Sequence, residues 1–283
     1  MAGTENGPRP EAVVVPNAAA PLGAAASSPS DSAGLPWAGR HFDRNAFSGD
    51  DGSANPELLR ALARFQLAVP AGSVSQSIVV DAVRSSRLLI PLVATHAESG
   101  VAASGLTVDK SAELSIVTVA GPDGRNVLPV FSSVAAMARW NPTARPVPAD
   151  AVRVGLAAAS ENTELIVLDP GSQTEFALRR PAVWAVAQQE PWVPSFDDPV
   201  VAEEFARIAE SETLVLALVL TSGDPAAVLA APELCVTLTL APGLDDTELA
   251  RLLARLTTQF SASESIAARV DSLQLRLRTA NAS

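Results

Sequence analysis

Two turn signatures, Gly121-Pro122-Asp123-Gly124 and Asp169-Pro170-Gly171-Ser172, constrain the fold of this chain more than any other feature. Each sits between short apolar runs. Pro presets φ early in such a turn and Gly accepts positive φ after it, so the chain reverses direction at both places. Residues 114–119 with 125–131, and 165–168 with 175–178, therefore read as two β-hairpins. Helical signals surround them. Asn55 can cap a helix with Pro56 in its first turn and Leu58, Leu59, Leu62 and Phe65 on one face. A second helix is expected over 74–83. Residues 88–93 read as a buried strand that Pro91 confines to an edge or a bulge, and 95–110 as a loop. Ser132 or Ser133 caps a short helix carrying Val134, Met137 and Trp140. Pro148 is expected to open a helix through Ala159, and Pro181 one that ends near Gln189.

Pro191-Trp192-Val193-Pro194 reads as a stiff, extended connector, and the domain boundary is placed there. Beyond it Asp198 caps and Pro199 opens a helix with Val201, Phe205 and Ile208 on one face. Residues 214–220 form an apolar strand. Leu234, Val236, Leu238 and Leu240 alternate with Cys235, Thr237 and Thr239, a half-buried strand. Asp245 and Glu248 make a capping-box pattern ahead of Leu249, Leu252, Leu253, Leu256 and Phe260. A last strand alternates Leu273, Leu275 and Leu277 with polar residues. The class is α+β: a mixed or antiparallel sheet with helices in the N-terminal domain, and a smaller α+β C-terminal domain. The organisation expected is a disordered tail over 1–45, an N-terminal domain over 46–190, the connector over 191–196 and a C-terminal domain over 197–283. The tail assignment rests on Ala, Pro, Ser and Gly without periodicity, which bury too little apolar surface to offset ordering entropy.

Hydrophobic residues are 48% of the 283 but aromatics only 4%, with no Tyr, so the core is aliphatic. Lys110 is the single lysine. With a net charge of -11 and no arginine-rich stripe, nucleic-acid binding is not expected. One cysteine, Cys235, excludes an internal disulfide and suits a reducing compartment. No apolar run approaches the ~20 residues of a membrane span, and Glu11 and Pro16 bracket too short an apolar stretch for a signal peptide. A cytoplasmic location is expected.

The sequence holds no phosphate loop, no Gly-x-Gly-x-x-Gly after a strand and no Gly-x-Ser-x-Gly elbow. His41 and His96 stand apart from any cluster of ligands, so no metal or cofactor is expected. Cys235 lies mid-strand between Leu234 and Val236, where a packed thiol is the expected state and a nucleophile is not. The acidic pairs Asp197-Asp198, Glu203-Glu204 and Asp245-Asp246 fit caps and helix-dipole partners better than acid/base pairs, which must face each other across a site. What remains is tryptophan. Trp140, Trp184 and Trp192 are candidates for interdomain packing or partner contact, and Trp192 is held between two prolines. Trp37 lies in the tail beside Leu35.

Residues 113–119, the turn at 121–124, Leu128-Pro129-Val130-Phe131-Ser132-Ser133, Met137-Ala138-Arg139-Trp140, Leu168-Asp169-Pro170-Gly171 and Glu190-Pro191-Trp192-Val193-Pro194-Ser195-Phe196 together resemble the SseB family, named for enhanced serine sensitivity. The resemblance runs over roughly residues 46–280 and is strongest to versions in high-GC Gram-positive bacteria. Asp169 stands where Asn is common in the family, and either residue starts that turn. The resemblance implies an α/β N-terminal domain followed by a smaller C-terminal one. It brings no catalytic residue, and the family name describes a phenotype.

The function expected is therefore that of a non-enzymatic protein binding an unidentified protein partner or small ligand. The alternative is a motif-poor, hydrolase-like enzyme acting on a small metabolite, with acid/base groups converging on His96 or Asp169.

Overall fold

The computed structural model describes residues 47–69, 75–95 and 113–280. The expected tail with Trp37 and His41, and most of the expected loop with His96 and Lys110, lie outside the described residues. The first helix, α1 (Pro56–Ala68), begins where its signals put it: the Asn55 side chain accepts from the Glu57 N–H, and Leu58, Leu62 and Phe65 are buried. Leu59, assigned to the same face, is instead 40% exposed. One residue later than Leu58, it is turned ~100° away from the core. Helix α2 (Ser77–Arg84) follows.

Strand β1 (Arg87–Thr95) pairs antiparallel with β2 (Glu113–Ile116) on one side and β5 (Arg145–Asp150) on the other. It is thus the central strand of its sheet, against the expectation of an edge. Pro91 is tolerated because its partner in β5 is Pro146, so the two missing donors share one rung. On the other flank the pairing with β2 begins only at Leu92.

The first turn makes a smaller hairpin than expected. Only β3 (Val119–Ala120) pairs with β4 (Asn126–Val130), while Leu114 and Ile116 cross to β1 in another sheet. Beyond Val127, β4 takes β6 (Ile166–Leu168) as its parallel partner. The second turn behaves as read: β6 and β7 (Phe176–Leu178) are antiparallel, with Gly171 at φ 73°. Ser133, not Ser132, caps α3 (Val134–Trp140). Pro148 opens no helix; it lies in β5 opposite Leu89, and α4 (Ala151–Ser160) starts later, capped by the Asp150 side chain. A capping carboxylate that satisfies an orphan N–H outweighs a proline whose only contribution is a preset φ. Helix α5 (Arg180–Gln188) ends at Gln189 in the left-handed region.

After the connector come α6 (Pro199–Glu210), β8 (Val215–Ser222), β9 (Leu234–Leu240), α7 (Asp246–Ala262), α8 (Glu264–Arg269) and β10 (Leu273–Thr279). Strand β9 is central, antiparallel to β8 and parallel to β10. Its Leu234, Val236, Leu238 and Leu240 pack with Phe205, Leu252, Leu256 and Phe260 in one core, and the capping box at Asp245 and Glu248 is formed. The architecture is α+β, with mixed sheets.

The other main core joins α1, α2, α4 and α5 to β1, β4, β6 and β7, with Phe65 edge-on to Phe176 at 5.3 Å. It also contains Ala227, which belongs to the segment between β8 and β9, and Leu229 from the same segment packs with Val127, Leu165 and Val167. The Ala177 N–H donates to the Ala227 carbonyl at 2.6 Å. Ala227 and Leu229 adopt φ of 53° and 59°, a strained region for side chains with a Cβ that is held here by the packing around it. From Gly49 onward the chain is one compact unit holding both cores. Among the described residues no helix is long and apolar enough to cross a membrane.

Candidate functional site: a tryptophan cleft and a buried arginine cluster

The site is built at the start of α5. Pro181 fixes the first turn of that helix, leaving Arg179 extended at its cap and Arg180 inside it. Arg179 is 6% exposed. Its guanidinium donates to Asp224 at 2.7 Å, to the Ala231 carbonyl at 2.7 Å, and to Asp271 and the Ser272 hydroxyl at 3.2 Å each. Arg125, from the turn between β3 and β4, grips the same Asp271 with two bonds of 3.0 and 2.8 Å and reaches Asp123 at 2.8 Å. Two arginines that precede the connector thus bind carboxylates that follow it. Arg180 adds bonds to the Ala267 and Val270 carbonyls at the end of α8, at 2.7 and 2.8 Å.

The acidic side is not uniform. Burial alone would raise Asp271, but the hydrogen bonds and charge of Arg125 and the charge of Arg179 outweigh it, and its carboxyl titrates below its ordinary value. Glu233, beside it, has no cation. Burial pushes it up, only partly offset by N–H donors from Asp271 at 2.7 Å and Ser195 at 3.4 Å. Ser195 belongs to the connector region, so Glu233 ties that segment to β9.

A cleft of about 490 Å³ lies between α5, the connector and the ends of α6 and α8. Trp184 and Trp192 both line it. Trp192 is half-buried and packs against the N-terminal core. Trp184 is 43% exposed, with the Arg180 guanidinium 5.4 Å from its ring centre, a cation–π geometry that steadies the indole. Val193 and Val200 are also exposed at the rim, and the charged rim residue Arg269 is paired with Asp198 at 2.8 Å.

Trp140 is elsewhere. It packs on Phe131 at 5.2 Å and borders a second groove of about 690 Å³ with Arg139 and residues 170–174. Asp169, next to that groove, is buried and left-handed at φ 47°. Its carboxylate accepts from the Ser132 N–H at 2.8 Å, the Ser132 hydroxyl at 2.7 Å and the Thr174 hydroxyl at 2.9 Å. These bonds explain why Ser132 does not cap α3.

Cys235 is 1% exposed, with Thr237 Oγ1 4.0 Å from its sulfur. Asp198 caps α6, Glu204 pairs with Arg207, and Asp245 caps α7. Among the described residues no cluster of three His, Cys, Asp or Glu is arranged to hold a metal ion. Arg179, Asp224, Glu233 and Asp271 belong to no motif in the sequence. The usable signal was charge inside apolar context, in Leu178-Arg179 and Val270-Asp271.

Residues 58–185 match the family model described as SseB protein N-terminal domain. No curated protein and no solved structure matches the chain.

Proposed function

We propose that this chain is a non-enzymatic cytoplasmic protein whose binding face, for a protein partner or a small regulatory ligand, is the cleft between Trp184 and Trp192. The observation that carries the reading is an exposed indole held over a rigid base. Trp184 stacks with an arginine whose hydrogen bonds are to carbonyls at the end of α8, and the preceding residue, Arg179, is fixed by its own buried ion pairs. Tryptophan and arginine are the residues that most often dominate binding energy, because they bury large area at low entropic cost. A net charge of -11 and the absence of a basic stripe leave nucleic acid and membrane surfaces outside this reading.

The groove beside Asp169 supports a second reading, a hydrolase-like enzyme for a small metabolite. Against it, the Asp169 carboxylate spends its oxygens on Ser132 and Thr174, and none of those partners titrates near neutrality.

The test is Trp184→Ala. Being exposed, the residue can be removed with little change in melting temperature. Wild-type and variant chains are compared in affinity capture with mass spectrometry and in binding titrations against a metabolite set. A partner or ligand held by the wild type and lost by the variant supports the reading. Capture that is equal for both, or turnover of any metabolite abolished by Asp169→Ala, overturns it.

A further inference from the structure

Between the two main cores lies a cavity of about 580 Å³ that shares no lining residue with the tryptophan cleft. Phe65 and Val69 wall it from the N-terminal core, and Phe196 of the connector with Leu220 of β8 from the C-terminal one. Its polar lining is unspent. Gln76 occupies the cap position of α2, but its side chain does not cap the helix. The amide nitrogen donates instead to the Asp224 carbonyl at 3.3 Å. A carbonyl only accepts, so the nitrogen must face it and the amide oxygen is left over. Gln76 is 9% exposed, and no described group donates to that oxygen. Ser222 Oγ, in the same wall, is buried without a hydrogen-bond partner. Buried polar atoms are rarely left unpaired. The Asp197 carboxylate, also in the lining, is exposed and pairs with no described cation. The N–H groups of Ser77, Ile78 and Val79, which open α2, are already taken by Ser75 and Gln76. The wall therefore offers acceptors and no open helix donor.

We propose that this cavity binds a small primary amine, as its ammonium ion, with a short apolar body. Hydrogen-bond bookkeeping selects this class. An ammonium carries three donors and no acceptor. The open groups are Gln76 Oε1, Ser222 Oγ and the Asp197 carboxylate: two neutral acceptors and one charged one. The apolar body packs against Phe65, Val69, Phe196 and Leu220. Among the described lining residues none is cationic, and residues 70–74, which join α1 to α2 in the sequence, contain no charge. A carboxylate or phosphate would meet only acceptors and Asp197, so anions are rejected. Amino-acid zwitterions are rejected with them, because nothing in the lining pairs their carboxylate. The volume and the mixture of apolar wall with a few convergent polar groups are those of small-molecule sites, which gather where two domains meet.

The experiment is isothermal titration calorimetry of the full chain with phenethylamine. Phenethyl alcohol, hydrocinnamate and phenylalanine keep the aromatic body and change the head group. The amine alone should bind. Asp197→Asn, which removes the charge from a charge-assisted bond, should weaken binding by roughly tenfold or more. Ser222→Ala should weaken it by a smaller factor. Asp197 is exposed, so its variant should keep the wild-type melting temperature. Ser222→Ala removes an unpaired buried hydroxyl and should melt no lower than wild type, so lost affinity there is not lost fold. Trp184→Ala, which tests the tryptophan cleft, should leave amine binding intact. The proposal is overturned if the amine does not bind, or if the alcohol, the carboxylate or the zwitterion binds as well as the amine. Undiminished affinity in both Asp197→Asn and Ser222→Ala, or loss of amine binding in Trp184→Ala, overturns it too.

Discussion

Arg179 is the residue on which most of the buried charge depends. It is the partner of Asp224 and one of two partners of Asp271, all three nearly sealed from water. Removing one member of a buried pair leaves the other uncompensated, which typically costs about 3–5 kcal/mol. Arg179→Met should cost that much in urea denaturation. Arg269→Met, removing a half-exposed partner of Asp198, should cost about 1 kcal/mol or less. Equal losses would show that Arg179 is not the keystone. Glu233 gives the cluster a pH dependence. Its folded value is raised, so its contribution is fully present below the unfolded value and is lost as pH rises through the folded one. Asp271 is lowered, so its contribution is present above the unfolded value and is lost as pH falls through the folded one. Relative to Glu233→Gln, the wild type should gain stability as pH falls through the raised Glu233 value toward the ordinary glutamate range, and Asp271→Asn should remove part of the loss in stronger acid. A pH-independent difference between wild type and Glu233→Gln would count against this account.

At the scale of elements, α4 and α5 approach closely because residue 155 is glycine. A Cβ there would lie 2.7 Å from the Cβ of Ala187, closer than real side chains come. Gly155→Ala gains helix propensity of about 1 kcal/mol but overpacks the contact, at about 1–3 kcal/mol. A net loss is expected by thermal melting. Ala187→Gly in the same chain should restore more stability than the two single changes predict by addition. Strict additivity would place the clash elsewhere. Elements were the most legible level of this sequence. Caps at Asn55, Asp198 and Asp245 are local chemistry and stand where the residues put them. Pairing was less legible. Residues 114–119 read as the hairpin partner of 125–131, yet 114–116 pair with β1, since alternation says which side chains share a face and not which neighbour lies alongside. Pro91 misled for the same reason, because its tolerance depends on Pro146, 55 residues away. The site was legible only as separate pieces. Trp184 and Trp192 were identifiable from composition and flanking prolines, but the arginine cluster is assembled across the connector by long-range contacts.

At the scale of the whole molecule, the segment between β8 and β9 decides how the chain unfolds. It leaves the C-terminal sheet, places Ala227 and Leu229 in cores built by residues 58–186, and returns to β9. Its conformation is fixed at both ends. Asp224 is held by Arg179 and accepts from the Leu229 N–H at 2.8 Å, and Gly223 lies so close to the Pro232 carbonyl that a Cβ there would strike it. The N-terminal core therefore lacks part of its filling until the C-terminal half has folded. Two halves that share core residues and buried ion pairs should unfold together, so the calorimetric and van't Hoff enthalpies of the chain from Gly49 onward should agree. Leu229→Ala deletes a buried side chain, at about 2–5 kcal/mol. It belongs by sequence to the C-terminal half and by packing to the N-terminal one. In a molecule that melts as a unit, it should shift the single transition seen by near-ultraviolet signals from Trp140 and Trp184, both N-terminal reporters, and by far-ultraviolet ellipticity alike. Splitting into two transitions, with the tryptophan signal lost first, would mean that the halves are independently stable and that the shared segment only decorates their contact.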